Sequence, residues 1–196
     1  AISKKLKRDN ELDYNPDQIV VSTGAKQSIA NVCLSLLNRG DEVILPAPYW
    51  VSYYELVKLG EATPIVVKSS IDNDFKMSAQ DLENTITAST KMIIFSSPCN
   101  PSGTVYTKQE LEELAKVLEN YPNVYVVSDE IYELINFGVK HFSIARIDSI
   151  KDRVITVNGV SKGFAMTGWR VGYIAAPQWI ATVSYTHLRA HETASD

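Results

Sequence analysis

Apolar residues along the chain fall into two recurring patterns. Short β-branched runs alternate with longer stretches in which apolar positions recur every three or four residues. Gln18–Ser22 (QIVVS), Glu42–Leu45, Thr63–Val67, Lys91–Ser96 (KMIIFS), Val124–Val127, Val154–Val157 and Val171–Ala176 read as strands. Between the first two, Ile29, Val32, Cys33, Leu36 and Leu37 share one helical face, closed by Arg39 and a glycine stop at Gly40. Val51–Leu59 reads as helical. Ser78–Ile86 carries a cap-like Ser78 with Asp81 three residues on, and Leu82 and Ile86 on one face. Thr107 with Glu110 forms a capping box for a helix whose apolar face is Leu111, Leu114, Ala115 and Leu118. Buried strands alternating with amphipathic helices predict an α/β fold with helices on both faces of one sheet.

Composition narrows the class without naming a function. The 196 residues suffice for one sizeable domain, and 45% hydrophobic with 21% charged residues is the balance of a soluble globular protein. A net charge of −4 offers nothing to nucleic acid or to an anionic membrane surface. The basic run Lys4, Lys5, Lys7 and Arg8 reads as a solvated face. Cys33 and Cys99 have neither disulfide-framework nor metal-ligand spacing, and reduced thiols in a cytoplasmic protein are the simplest reading. No apolar run reaches the length of a membrane span, and no signal peptide is visible. The chain does not open on methionine, so its natural start can lie upstream.

The chemistry gathers just after strand carboxyl ends, at Gly24, Trp50, Asn100, Asp129 and Lys162, the edge where open α/β sheets bind ligands. Lys162 lies in Asn158–Tyr173 (NGVSKGFAMTGWRVGY), crowded by small residues, with Arg170 eight positions on. Held near an apolar wall, such a lysine loses its proton more easily and attacks a carbonyl; otherwise Lys162 and Arg170 are ordinary surface cations. Thr23-Gly24-Ala25-Lys26 opens a helix, whose free amides and dipole suit a phosphate, and Ser161 and Arg170 can add to that cradle. Asp129 ends an apolar strand and needs a cationic partner if buried, or is simply a helix N-cap before Glu130–Glu133. Tyr132 can aim a phenol at the same ligand and Asn100 an amide, although Asn-Pro is by default a turn. Trp50 is either core or a shelf for a flat ring. An amine nucleophile, a phosphate cradle, a buried carboxylate, a phenol, an amide and a stacking aromatic together match the needs of pyridoxal 5′-phosphate.

The segments STGAKQ, PAPYW, SSPCNPSG, VVSDEIYE and NGVSKGFAMTGWRVGY, in this order and spacing, resemble the class I aminotransferases of fold type I, nearest the bacterial aspartate aminotransferase branch. The resemblance runs from Gly24 to about Ile180. It implies a three-layer α/β/α large domain with a mainly parallel, seven-stranded sheet, covering residues 1–180 as a partial cofactor-binding domain. By that resemblance Lys162 would hold the cofactor as a Schiff base, and Asp129 would pair with the pyridine nitrogen. Tyr132 and Asn100 would bond the ring 3′-oxygen, Asn100 also meeting the substrate carboxylate, and Trp50 would stack on the ring beside the substrate. Gly24, Ala25, Lys26, Ser161 and Arg170 would hold the phosphate.

The same likeness implies cis peptides at Ala47-Pro48 and Asn100-Pro101. It also implies amino-acid and 2-oxo-acid substrates with an aspartate-like donor, and a homodimer of the full-length protein in the cytoplasm. Two other readings stay open: a different reaction on the same cofactor, such as a β-lyase, and an aminotransferase-like sensor domain of a transcription regulator. The N-terminal segment and the C-terminal small domain of such enzymes have no counterpart here, so the chain alone is expected to be inactive. Residues 181–196 (ATVSYTHLRAHETASD) depart from the likeness and are expected to be disordered, a frayed helix or unrelated sequence. His187 and His191, spaced i, i+4, lack a third ligand, so no metal site is expected, and His141 reads as a surface histidine.

Overall fold

The computed structural model describes residues 1–192. Seven strands form one sheet: β1 (Ile19–Ser22), β2 (Glu42–Ala47), β3 (Thr63–Lys68), β4 (Thr90–Ser96), β5 (Tyr125–Asp129), β6 (Val154–Gly159) and β7 (Gly172–Ala175). Their spatial order is β1-β7-β6-β5-β4-β2-β3, parallel except that β7 runs antiparallel to both β1 and β6. Parallel neighbours require crossovers; α3 (Ser52–Leu59) links β2 to β3 and α5 (Lys108–Leu118) links β4 to β5, while β5 reaches β6 through a segment with only short 3-10 turns. The other helices are α1 (Ile2–Lys5) before β1, α2 (Ala25–Leu36) between β1 and β2, α4 (Ala79–Thr85) between β3 and β4, and α6 (Gln178–Glu192) after β7.

Alternation along the strands divides the core in two. Val43 and Leu45 of β2, Met92 and Ile94 of β4, Val127 of β5 and Ile155 and Val157 of β6 pack with Ile29 and Val32 of α2, Val57 of α3 and Ile180 of α6. Their neighbours Ile44, Ile93, Phe95, Val126 and Val154 face the other way, onto Leu82 of α4, Leu111 and Leu114 of α5 and Leu6 near the N-terminus. Side chains on a strand alternate between faces, so runs apolar at every position belong to a sheet covered on both sides. This is the three-layer arrangement expected. The two caps read from the sequence are formed: Ser78 Oγ accepts from the Asp81 amide at 3.1 Å, and Thr107 Oγ1 from the Glu110 amide at 3.2 Å. Among the described residues no helix is long and apolar enough to cross a membrane.

Of the alternatives open for the tail, residues 181–192 take the helical one, for α6 continues through Glu192, and two other local expectations are corrected. Ala181, Ser184 and Leu188 are buried at helical spacing, with Ala181 and Leu188 in the core beside α2, so an apolar stripe orders this stretch. The pair His187 and His191 concerns side chains outside the described ones. The basic run near the N-terminus is not wholly solvated: Leu6 is fully buried and Lys5 is ion-paired to the buried Glu133. His141 is not a surface residue either. Its side chain is 10% exposed, and Nε2 lies 3.0 Å from Oε2 of Glu130, which is wholly buried and needs partners there.

Candidate active site

The strand register sets out the site. Ser96 pairs with Asp129, and Asp129 with Val157, so β4 and β5 end level with one another and the parallel β6 ends two residues further on. Their carboxyl ends and the loops that follow enclose a cavity of about 210 Å³. Nine of the ten residues singled out from the sequence line it: Ala25, Lys26, Trp50, Asn100, Asp129, Tyr132, Ser161, Lys162 and Arg170. Gly24 does not, and its contribution is space. Its φ of +93° belongs to glycine, and a Cβ there would sit 2.2 Å from Arg170 Nη2. The absent side chain lets the guanidinium lie against the turn that opens α2. Gly172 completes this fit, since a Cβ on it would fall 2.2 Å from the Ala25 amide nitrogen. Arg170 is further tied by Nη1, which donates to the Thr167 carbonyl at 3.0 Å.

Asp129 is 4% exposed, and its carboxylate has neutral donors only: the Tyr53 hydroxyl on Oδ2 at 2.5 Å and the Ile131 amide on Oδ1 at 3.2 Å. Among the described residues it has no ion-pair partner. Burial pushes its carboxyl up to about 6, against the pull of the Tyr53 and Ile131 bonds, with the neighbouring Glu130 charge adding to the rise. Asp129 is not a helix N-cap, because Ile131–Leu134 form a turn rather than a helix. The Ile131 bond is the small remainder of that capping role. Of the two settings open for Lys162, the side chain takes an exposed one at the cavity, beyond the end of β6, with Nζ 5.6 Å from the centre of the Tyr132 ring.

Trp50 is half-buried and meets Tyr53 edge-on, ring centres 5.5 Å apart at 90°, while Lys26 Nζ lies 4.9 Å from the Trp50 ring centre. The peptides Ala47-Pro48 and Asn100-Pro101, which flank the site, are cis, as is Ser97-Pro98, which had not been foreseen. Sequence reasoning missed Tyr53, Ser96, Ile131 and Thr167 in the cavity wall. Tyr53 falls on the buried face of α3, where an aromatic reads as core; only its hydroxyl, which needs a partner when buried, hinted otherwise.

Behind this wall lies a second cluster of charge. Ligand atoms of Glu130, Glu133 and His141 lie within 4.8 Å of one another. Each carboxylate is already engaged: Glu130 by Ser128 at 3.0 Å, Ser143 at 2.6 Å and His141, and Glu133 by Lys5 and by Asn10 at 2.5 Å. Burial would lower the His141 pKa, but the hydrogen bond and charge of Glu130 outweigh it and raise the value. The cluster reads as an internal salt-bridge network tying the N-terminal helix to the loop that carries Tyr132.

With this geometry in place, comparison with known proteins is informative. The family model described as aminotransferase class I and II matches residues 1–190. A probable aspartate/prephenate aminotransferase of Rickettsia felis is 53% identical over 175 residues, which is 88% of this chain and 43% of that protein. An aspartate aminotransferase of Bacillus sp. strain YM-2 is 48% identical over 198 residues, 100% of this chain and 50% of that protein. Among solved structures, aspartate aminotransferase from Rhizobium meliloti superposes with a TM-score of 0.93 at 38% identity, covering 96% of this chain and 48% of that one. The Thermus thermophilus enzyme with maleate gives 0.91 at 36%, covering 97% and 49%. The chain spans about half the length of the curated relatives it matches.

Proposed function

We propose, for a chain that belongs to the class I and II aminotransferase family, that this cavity holds pyridoxal 5′-phosphate and serves amino-group transfer in the full-length protein. The observation that carries the reading is Asp129, a buried carboxylate with two neutral donors and no cation, in one cavity with the Lys162 amine and the Arg170 guanidinium. A protonated pyridine nitrogen is the missing cation. The rest of the donor set fits the same group. The amine suits its aldehyde, Arg170 and Ser161 at the mouth of α2 suit its phosphate, and Trp50 suits its ring face. When bound, this cofactor supplies an electron sink for the carbon that loses its proton.

The protein's own residues do the rest. Asp129 keeps the proton on the ring nitrogen, since separating the charges in a buried site would cost both partners. Arg170, Ser161 and the first amides of α2, at Ala25 and Lys26, hold the phosphate. Tyr132 and Asn100 donate to the ring 3′-oxygen, and Asn100 also meets the substrate carboxylate. Lys162 would hold the cofactor's aldehyde through its amine and, once free of it, would be the base for the proton on the substrate α-carbon. The donor is proposed to be a dicarboxylic amino acid, aspartate first, passing its nitrogen to a 2-oxo acid. This is supported by relatives named as aspartate or aspartate/prephenate aminotransferases and by a Thermus structure with maleate, a dicarboxylate. The resemblance further supports a homodimer as the working form.

Borohydride reduction of the chain loaded with pyridoxal phosphate, followed by peptide mass spectrometry, tests the site directly. The label is expected on Lys162, and Lys162→Ala is expected to bind the cofactor without becoming labelled. Label on another lysine, or undiminished transamination between aspartate and 2-oxoglutarate in full-length Lys162→Ala, would overturn the proposal.

A further inference from the structure

Asp129 is held by a side chain to which no role has yet been given. Tyr53 follows Trp50 by one helical turn, is 1% exposed, and donates its phenol to Asp129 Oδ2 at 2.5 Å. The Ile131 amide takes Oδ1, so each carboxylate oxygen has one neutral donor and keeps a further lone-pair direction free. The ring shelf, just before α3, and the anchor of the carboxylate, in its first turn, are thus close together: the Tyr53 amide donates to the Trp50 carbonyl at 3.0 Å, and the edge-on contact of their rings ties one to the other. We infer that Tyr53 is a positioning residue for the cofactor's ring nitrogen, holding the Asp129 carboxylate toward the cavity and acting on the ring only through it. The inference rests on the cofactor reading above.

The choice of a phenol has a physical reason. A lysine or arginine in its place would neutralise Asp129 and compete with the ring nitrogen for it. An apolar residue would leave one oxygen of a buried carboxylate without a donor, which is costly. Tyr53 itself stays protonated, because burial first, and the Asp129 charge next, raise its pKa well above the usual phenol range. It therefore remains a donor at any pH at which the enzyme works.

A double-mutant cycle with two ligands tests this. The 196-residue chain, Tyr53→Phe, Asp129→Asn and the double variant are titrated with pyridoxal phosphate and with its analogue bearing CH in place of the ring nitrogen. Tryptophan fluorescence reports binding, and thermal melting of each apoprotein reports folding. Tyr53→Phe should weaken pyridoxal phosphate by about tenfold, the worth of one hydrogen bond to a charged group, and the analogue by less than about twofold. In the Asp129→Asn background the same change should have no further effect. Equal losses for both ligands, or a tenfold loss that persists without Asp129, would mean that Tyr53 shapes the cavity directly and would overturn the inference. Unchanged cofactor affinity in a folded Tyr53→Phe overturns it as well, leaving the cofactor reading intact. If the unmodified chain binds neither ligand, the cofactor reading fails and the inference falls with it. Should Tyr53→Phe not melt cooperatively, Tyr53→His carries the comparison, since its ring N–H restores a donor. It must keep the preference for pyridoxal phosphate over the analogue, and loss of that preference counts against Tyr53.

Discussion

Replacing Gly24 by alanine probes how the turn before α2 and Arg170 make room for one another. The backbone there has φ +93° and ψ 155°, a region open essentially to glycine alone. Forcing alanine into it costs about 1–3 kcal/mol. The new Cβ would lie 2.2 Å from Arg170 Nη2 and 3.0 Å from Cζ, so the guanidinium must swing away. Arg170 is exposed, so this displacement is easy and adds little to the unfolding cost, but it removes a charged donor from the cavity. For a chain of this size each kcal/mol moves the melting temperature by about 2–4 °C, so a loss of roughly 2–12 °C is expected. A charge-assisted bond to phosphate is worth about 1.5–3 kcal/mol, so affinity for pyridoxal phosphate should fall roughly 10- to 150-fold. Gly40→Ala is the control. Its φ is +97°, yet nothing lies within 4 Å of the added Cβ, so it should lower the melting temperature and leave cofactor affinity alone. Melting curves and fluorescence titrations of the two variants decide the matter. A Gly24→Ala chain that binds pyridoxal phosphate as tightly as the parent would refute the placement of Arg170 at the phosphate.

Other expected outcomes concern stability as much as chemistry. The Asp129 carboxyl titrates at about 6 in the folded chain against 3.8 when free, so the folded state holds this proton more tightly. Its contribution to stability is therefore present below about pH 4, is lost as pH rises to about 6, and stays lost above, by roughly 3 kcal/mol. Asp129→Asn should remove that slope, so its melting temperature should gain on the parent's between pH 4 and pH 7 while cofactor binding is impaired; parallel melting profiles would contradict this. Thr107→Ala removes the N-cap of α5 and should cost about 1 kcal/mol in chemical denaturation, with cofactor affinity unchanged because α5 lies across the sheet face, away from the cavity.

Much of the fold was legible along the chain because its signals are local. Val43, Ile44 and Leu45, apolar at every position, can only belong to a strand covered on both faces. Thr107 and Glu110 announce the start of α5 by hydrogen bonds that span three residues. Lys162, Asp129, Asn100 and Arg170 were legible for another reason: each sits in a run of words whose order resembles a known family. Tyr53 carried no such mark. Its helix face reads as core, and its bond partner is 76 residues away. The two settings open for Lys162 could not be separated along the chain for the same cause, since its apolar sequence neighbours Phe164 and Trp169 are 53% and 71% exposed.

Which residues are strand, helix and cap, and which chemical groups stand after the strand ends, the sequence determined by itself, because periodicity and capping act over a few positions. The parallel register decided what those groups can do together. It brings Ser96 level with Asp129, buries the carboxylate among neutral donors, and so leaves it needing a cation. The close approach of Gly24 to Arg170, 146 residues apart in the chain, and the burial of Glu130 against His141 were likewise set by packing. Burial, dielectric and reach between side chains depend on contacts far apart in the chain, and only the tertiary structure fixes them.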